Sequence, residues 1–129
     1  MQGVITEQLS SDRKNTNNKP HELESNLKRQ VVEQVVSMTF HVPLRELRAR
    51  TRRRAPIAFA RQAAMYLAHV AYGLTLTEVG TLFARDRTTV AHACGIVEDR
   101  RDDPMFDIFL DNLEISIVRL ANALNSSES

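Results

Sequence analysis

The sequence predicts an all-α fold: a compact helical domain of about six helices, with a short polar tail at each end. Apolar residues recur at spacings of three and four between positions 23 and 124, which is the period of an amphipathic helix. The 129 residues include four glycines and four prolines, and aromatic residues make up 5%, which disfavours a turn-rich β fold. We therefore expect a disordered polar tail over 1–22, a folded domain over 23–124 and a disordered tail over 125–129.

The first three helices are predicted over 23–39, 43–49 and 56–72. In the first, Leu27, Val31 and Val35 repeat at helical spacing. Pro56 suits the first turn of the third helix, where its missing N–H is not needed. Gly73 is placed to end that helix in the left-handed conformation.

The last three helices follow from capping signals. Thr75 and Glu78 have the spacing of a capping box, so we expect a fourth helix over 75–84. Asp86 is a candidate cap for a fifth helix, over 87–102, which ends before Pro104. A sixth helix is predicted over 104–124. Its apolar stripe consists of Phe106, Phe109, Leu110, Leu113, Ile117, Leu120 and Leu124.

The fourth and fifth helices, joined by a short turn that contains Arg85 and Asp86, are spaced as in a helix-turn-helix. The fifth helix has a buried face predicted from its apolar residues, namely Val90, Ala93, Cys94 and Val97. The opposite side of its first turn carries Thr88, Thr89 and His92, with Arg87 beside them. Such groups suit base edges and phosphates in a major groove. Alternatively, the threonines assist capping, the histidine is an ordinary surface residue, and Arg85 and Arg87 pair with Asp86 or Glu98.

Charge is distributed unevenly, although the formal net charge is +1. Seven arginines face one acid over 45–61, whereas seven acids face two arginines over 98–114. A domain with one basic and one acidic end has a preferred direction of approach to a polyanion. Arg52, Arg53 and Arg54 lie in a predicted loop, where their mutual repulsion favours an anionic partner over a plain solvated surface.

Other classes of function have little support in the sequence. A single cysteine, Cys94, excludes an internal disulfide, and no apolar run approaches the length of a membrane span. No signal peptide is apparent, so we expect a soluble, cytoplasmic, nucleoid-associated protein. His92 and Cys94 are two possible zinc ligands, but the other histidines lack zinc-finger spacing. We expect no catalytic residue, metal or cofactor.

Three motifs identify a family resemblance. The segments RQAAMYLA (61–68), LTEVG (76–80) and RDRTTVAHAC (85–94) resemble the C-terminal DNA-binding domain of DnaA, the bacterial chromosomal replication initiator. The resemblance runs from about residue 25 to 123 and implies the Trp-repressor-like helix-turn-helix fold of that domain.

The resemblance also implies roles for individual residues. Arg53, aided by Arg52 or Arg54, matches an arginine that enters the minor groove. Positions that match phosphate contacts are Arg61, Gln62 and His92. Positions that match base contacts are Asp86, Arg87, Thr88 and Thr89, and Thr77 and Arg85 complete the expected DNA-binding set. The chain departs from the family at Arg87, where histidine is usual, and at His69, where lysine is usual. The turn before Arg85 is also one residue shorter than in many relatives.

No GxxxxGK[ST] loop occurs in the sequence, so we expect a stand-alone DNA reader without the ATPase domain. The expected ligand is double-stranded DNA at DnaA-box-like sites, with neither nucleotide nor membrane as a partner. Its expected role is to regulate replication initiation or nearby transcription, in one version by competing with the full initiator. Two alternatives stay open: a module that keeps the fold but docks on a replication protein, and a transcription regulator unrelated to replication.

Overall fold

A computed structural model describes residues 19–50 and 54–128 of the chain. The described part is all-helical and contains no strand, as the sequence predicts. Its six helices are α1 (Lys19–Phe40), α2 (Leu44–Arg48), α3 (Ala55–Tyr72), α4 (Leu76–Phe83), α5 (Arg87–Arg100) and α6 (Pro104–Glu128).

Both ends of the described fold extend further than the sequence predicts. Helix α1 already includes Lys19, the first described residue, rather than starting at 23, and Pro20 is compatible with a first helical turn because its missing N–H breaks no helical hydrogen bond there. Helix α6 continues to Glu128, so most of the predicted C-terminal tail is helical. No glycine or proline follows Leu124 to stop that helix. Residues 1–18 of the tail predicted over 1–22 lie outside the described residues.

Helix α3 lies at the centre of the domain and packs against each of the other five helices. Its buried side is rich in small residues, including Ala60, Ala64 and Ala68, which let neighbouring helices approach closely. Leu67 is fully buried in the middle of this face. The α3 helix ends at Gly73, whose φ of 66° is the left-handed cap predicted from the sequence.

The neighbours of α3 complete the core with branched aliphatic side chains. Fully buried members are Val32, Val36, Val79, Val90, Val97, Leu110 and Ile117. Four phenylalanines, Phe40, Phe59, Phe106 and Phe109, join α1, α3 and α6 with ring centroids 5.7–6.1 Å apart. Such tilted pairs stabilise a core beyond the area that they bury.

The last turns of α6 differ from the predicted core stripe. Leu120 and Leu124 are 47% and 40% exposed, whereas Leu110 and Ile117 on the same helix are fully buried. Leu124 lines an open groove together with Leu27 and Tyr72, so it is covered on one side alone. Cys94, predicted to be buried, is half-buried. None of the described helices is long and apolar enough to span a membrane.

Candidate nucleic-acid interface

Helices α4 and α5 form the predicted helix-turn-helix, and α4 begins with the predicted capping box. The Glu78 amide donates to Thr75 Oγ1 at 3.1 Å, and the Thr75 amide donates to Glu78 Oε1 at 2.8 Å. The Glu78 carboxylate accepts this N–H and lies close to the cap, which holds its pKa below the ordinary value. The start of the motif is thereby fixed by residues in its own first turn.

The turn between the two helices folds back on α4. Ala84 adopts the left-handed conformation, with a φ of 56°, and ends the helix. The Arg85 amide then donates to the carbonyl oxygen of Gly80 at 2.8 Å. These two features reverse the chain within Ala84, Arg85 and Asp86, so that α5 starts immediately after the turn.

Asp86 caps α5, as its position predicts. Its Oδ1 accepts the backbone N–H of Thr89 at 2.8 Å. That hydrogen bond stabilises the carboxylate and lowers the pKa of Asp86 below its ordinary value. The cap holds the first turn of α5 in place, and this role is structural. A contact between Asp86 and a base stays a prediction.

The first turns of α5 present a polar, solvent-facing tip. Arg87, Thr88, Thr89 and His92 are all exposed, while Val90 on the opposite side is fully buried. The buried face therefore orients the helix and leaves these four side chains accessible. Backbone N–H groups at the same helix end add a favourable environment for an anion.

The alternative in which the arginines of this motif pair with nearby acids has no support. Among the described residues, the side chains of Arg85 and Arg87 make no hydrogen bond or ion pair. Glu98, one of the acids considered, instead accepts a hydrogen bond from the hydroxyl of Tyr66 at 2.8 Å. Both guanidinium groups thus remain available to an external anion.

The basic loop, which joins α2 to α3 and contains the three arginines at 52–54, is described at its two ends alone. Arg52 and Arg53 lie outside the described residues, as does Thr51, so their predicted roles are untested. Arg54 is exposed and precedes α3 as its N-cap residue. Arg50, at the other end of the loop, lines the same cleft as Arg85. The loop therefore leaves the body next to the turn of the helix-turn-helix.

Arg61 has a structural partner that the sequence does not reveal. Its Nε and Nη2 donate to the carbonyl oxygen of Glu46 at 3.1 and 2.7 Å. The half-buried side chain thereby ties α3 to α2, in addition to any contact with phosphate. Gln62 is half-buried beside it, and Thr77 is exposed on the first turn of α4.

His69, where the family usually has lysine, also has a structural contact. Its Nδ1 lies 2.6 Å from the carbonyl oxygen of Leu74, a distance at which a protonated Nδ1 donates a hydrogen bond. The contact joins the end of α3 to the loop before α4. This departure replaces a flexible cation with a side chain committed to the fold.

At the acidic end of the domain, two of the acids share one arginine partner. Arg101 donates to the carboxylates of Asp107 and Asp111 and to the hydroxyl of Tyr66. Cys94 is half-buried, and desolvation together with Glu98 raises the pKa of its thiol. Among the described residues, no group of three or more histidine, cysteine, aspartate or glutamate side chains is placed to hold a metal.

A charged cluster next to the turn was not predicted from the sequence. Glu33 is 3% exposed and receives hydrogen bonds from Arg29 and Arg48, both at 3.0 Å. The signal for it was present, because a glutamate interrupts the valine run VVEQVV and has an arginine four residues before it. An acid that is buried on an apolar helical face requires a cationic partner.

Comparisons with known proteins agree on one family. A family model described as the bacterial DnaA protein helix-turn-helix matches residues 29–97. The chromosomal replication initiator protein DnaA of Symbiobacterium thermophilum is 38% identical to the chain over 84 residues, and that of Acinetobacter baumannii is 43% identical over 84 residues. A crystal structure of a DNA replication initiation factor superposes with a TM-score of 0.70 and 25% identity.

These similarities cover unequal shares of the proteins compared. Each of the two DnaA sequences matches 64% of this chain, while the chain spans 18% of their length. The solved structure matches 80% of this chain and 32% of its own. The matched residues include α4, the turn and α5 as far as Val97.

Proposed function

The chain belongs to the bacterial DnaA helix-turn-helix family, a family of DNA-binding domains, and on that premise we propose that it binds double-stranded DNA at DnaA-box-like sites. The matched domain of DnaA is not a catalytic domain, and the proposal contains no chemical step. Binding is the whole activity that we assign to the described residues.

One observation carries this proposal: the exposed tip of α5 and the base of the basic loop lie on the same side of the domain. Arg85, at the turn, and Arg50, at the start of the loop, line one cleft. The tip residues Arg87, Thr88 and Thr89 follow directly after that turn and are exposed. Two adjacent elements of this kind suit two adjacent grooves of one duplex.

We assign a different form of recognition to each element. The tip of α5 enters the major groove, where Arg87 suits the two acceptors of guanine and the threonine hydroxyls suit either donors or acceptors. The loop arginines at 52–54 enter the neighbouring minor groove, with Arg53 matching the family's minor-groove residue. Contacts with the sugar-phosphate backbone of the DNA, which fix the register of the protein without reading the base sequence, are assigned to Arg61, Gln62, Thr77 and His92.

We further propose that the chain regulates replication initiation, or transcription nearby, by occupying sites that the full initiator also uses. The domain that it shares with DnaA is the one that selects DNA, so the two proteins would compete for the same duplex. Competition of this kind requires no ATP, because the competitor has only to bind.

The central experiment measures binding to two duplexes of equal length, one with a DnaA box and one with the same bases scrambled. We expect tighter binding to the box, and an affinity for both that falls steeply with salt as counterions are released. Equal affinity for the two duplexes would overturn the specific-site proposal. An absence of salt-dependent binding to either would favour the alternative of a protein-docking module.

A second experiment addresses regulation. Purified DnaA from the same organism is bound to a fluorescent origin fragment, and this chain is added at increasing concentration. We expect displacement at concentrations near the chain's own dissociation constant for the box, and none by the Arg87→Ala variant at those concentrations. Equal displacement of DnaA by the wild-type chain and by Arg87→Ala would show that the displacement does not depend on recognition of the site.

A further inference from the structure

A narrow cleft lies between the turn of the helix-turn-helix and the base of the basic loop. It is formed by α1, α2, α3 and the turn, and its volume is about 80 Å³. It is lined by five arginines, namely Arg29, Arg48, Arg50, Arg61 and Arg85. Glu33 is the one acidic residue that lines it in the part of the chain that the structure describes. Such an excess of positive charge in a cleft attracts an anion.

Glu33 is the buried centre of this cluster. Its side chain is 3% exposed, and each carboxylate oxygen accepts one hydrogen bond: Oε2 from Nε of Arg29 and Oε1 from Nε of Arg48, both at 3.0 Å. A buried carboxylate is tolerated when its charge is paired in this way. The paired carboxylate in turn fixes where both guanidinium groups point.

The two arginines connect Glu33 to the ends of two different elements. Arg29 Nη1 donates to the carbonyl oxygen of Leu82 at 3.3 Å, and its guanidinium lies 5.6 Å from the Phe83 ring centroid. Leu82 and Phe83 are the last residues of α4, directly before the turn. Arg48 is the last residue of α2, just before the basic loop. One carboxylate thus links the turn to the loop.

The cleft retains positive charge after this pairing. The single negative charge of Glu33 is shared between Arg29 and Arg48, so it offsets the charge of one arginine and not of both. Among the described residues, the side chains of Arg50 and Arg85 make no hydrogen bond or ion pair, and the terminal nitrogens of Arg48 make no hydrogen bond. Donors from three separate elements therefore face the cleft without an acceptor among those residues.

We propose that this cleft binds one backbone phosphate of the duplex, where the strand passes between the two grooves, and that Glu33 is the positioning residue for it. This inference rests on the proposed function. The volume is well below the roughly 300 Å³ of a typical small-molecule pocket, so a phosphate group fits better than a nucleotide or metabolite. The cleft fixes the spacing of loop and turn on the DNA.

The first test compares Arg48→Ala with Arg45→Ala. Both remove one exposed arginine from the same short helix, but Arg45 does not line the cleft. Binding is measured against salt on box and scrambled duplexes alike. For Arg48→Ala we expect the slope of log affinity on log salt to flatten by about 0.9, the value for one phosphate, and for Arg45→Ala no change. Equal slopes in the two variants would overturn the inference.

The second test uses Glu33→Gln, which keeps the shape of the side chain and removes its charge. If Glu33 positions the two arginines, preference for the box over the scrambled duplex falls, even though the protein becomes more positive. A purely electrostatic role would instead raise affinity for both duplexes by the same factor, and that result would refute the positioning role. Circular dichroism checks that Glu33→Gln is folded. If that variant unfolds, the comparison of Arg48→Ala with Arg45→Ala decides whether the cleft contacts a phosphate.

The source of the phosphate is tested with inorganic phosphate at constant ionic strength. We expect millimolar inorganic phosphate to leave DNA binding unchanged, because a single cleft competes weakly against a duplex held at several points. Loss of DNA binding in the wild type but not in Arg48→Ala would identify a free-anion site and overturn the DNA assignment. If the wild type binds DNA without preferring the box, the proposed function is refuted. The salt slopes of Arg48→Ala and Arg45→Ala would still show whether the cleft contacts a phosphate.

Discussion

The carbonyl oxygen of Arg85 lies 2.5 Å from the point that a Cβ atom on Gly80 would occupy. Gly80 is buried in α4, and its own carbonyl accepts the Arg85 amide at 2.8 Å. The turn can therefore close on α4 because position 80 has no side chain. The direction of α5, and with it the placement of the candidate DNA-reading residues, depends on this contact.

Gly80→Ala should destabilise the protein by about 1–3 kcal/mol, the usual range for overpacking, since the obstructing atom belongs to the backbone. Gly95→Ala is the matched control within the same motif. Apart from its chain neighbours and the nearby backbone of α5, no described atom lies within 4 Å of a Cβ at position 95, so that change should stabilise α5 by about 0.5–1 kcal/mol. Urea denaturation measures both, and a Gly80→Ala protein as stable as the control would contradict the packing argument.

Asp86 gives α5 a pH-dependent cap. Its folded-state pKa is lowered because the carboxylate accepts the Thr89 amide. Its contribution to stability is therefore complete above the ordinary carboxyl pKa of 3.8 and is lost as the pH falls through the lower folded value. We expect the free energy of unfolding to fall as the pH is lowered below 3.8, as measured by urea denaturation.

Asp86→Asn provides the comparison, because asparagine is also a good N-cap and does not titrate over this range. The stability difference between wild type and Asp86→Asn should shrink as the pH falls, while the Glu78 cap contributes equally to both proteins. A difference that stays constant from pH 7 to pH 3 would mean that the ionised carboxylate does not stabilise the cap.

Much of the fold could be predicted from the sequence because its signals are local. The capping box of Thr75 and Glu78 and the left-handed Gly73 act within a few residues, and both are confirmed. The predicted end of α6 at 124 was wrong, because a helix without a glycine or proline stop signal ends at a point set by packing and solvent exposure. The exposure of Leu120 and Leu124 likewise depends on which helix lies opposite them, and spacing alone does not give that.

In the candidate site, too, features set by local signals could be predicted, and features set by contacts between helices could not. The exposed tip of α5 could be predicted, because its apolar face is apparent from periodicity. The Glu46 partner of Arg61 and the Arg48 partner of Glu33 could not, since each lies 15 residues away in the chain, on another helix. Arg61 was assigned to phosphate alone, and its bonds to the Glu46 carbonyl mean that an alanine there should also loosen α2.

Arg87→Ala should reduce discrimination between the box and the scrambled duplex by about 1–3 kcal/mol, the usual value of a bidentate contact between arginine and guanine. Arg119→Ala removes the same charge from an exposed site on α6 and is the control. Competition binding at fixed salt measures both. If the two variants lose affinity for both duplexes equally, Arg87 contributes charge rather than base recognition.

The two tyrosines, Tyr66 and Tyr72, should resist ionisation in the folded protein. Burial raises the pKa of both to about 12, and in Tyr66 the hydrogen bond to Glu98 adds to the effect of burial. Because the folded pKa lies above the ordinary 10.0, stability is complete below pH 10 and is lost as the pH rises towards 12. With no tryptophan in the chain, tyrosinate absorbance reports this directly.

In the native protein, tyrosinate absorbance should therefore appear together with the loss of helical circular dichroism, well above pH 10, whereas in urea it should appear near pH 10. Tyr66→Phe leaves Tyr72 as the single reporter and should keep its high midpoint, because the Tyr72 shift comes from burial alone. A native titration centred at pH 10 with the helices intact would mean that both hydroxyls reach water. The packing of α3 against α1 and α5 would then be looser than the contacts of Tyr72 with Lys28 and of Tyr66 with Glu98 require.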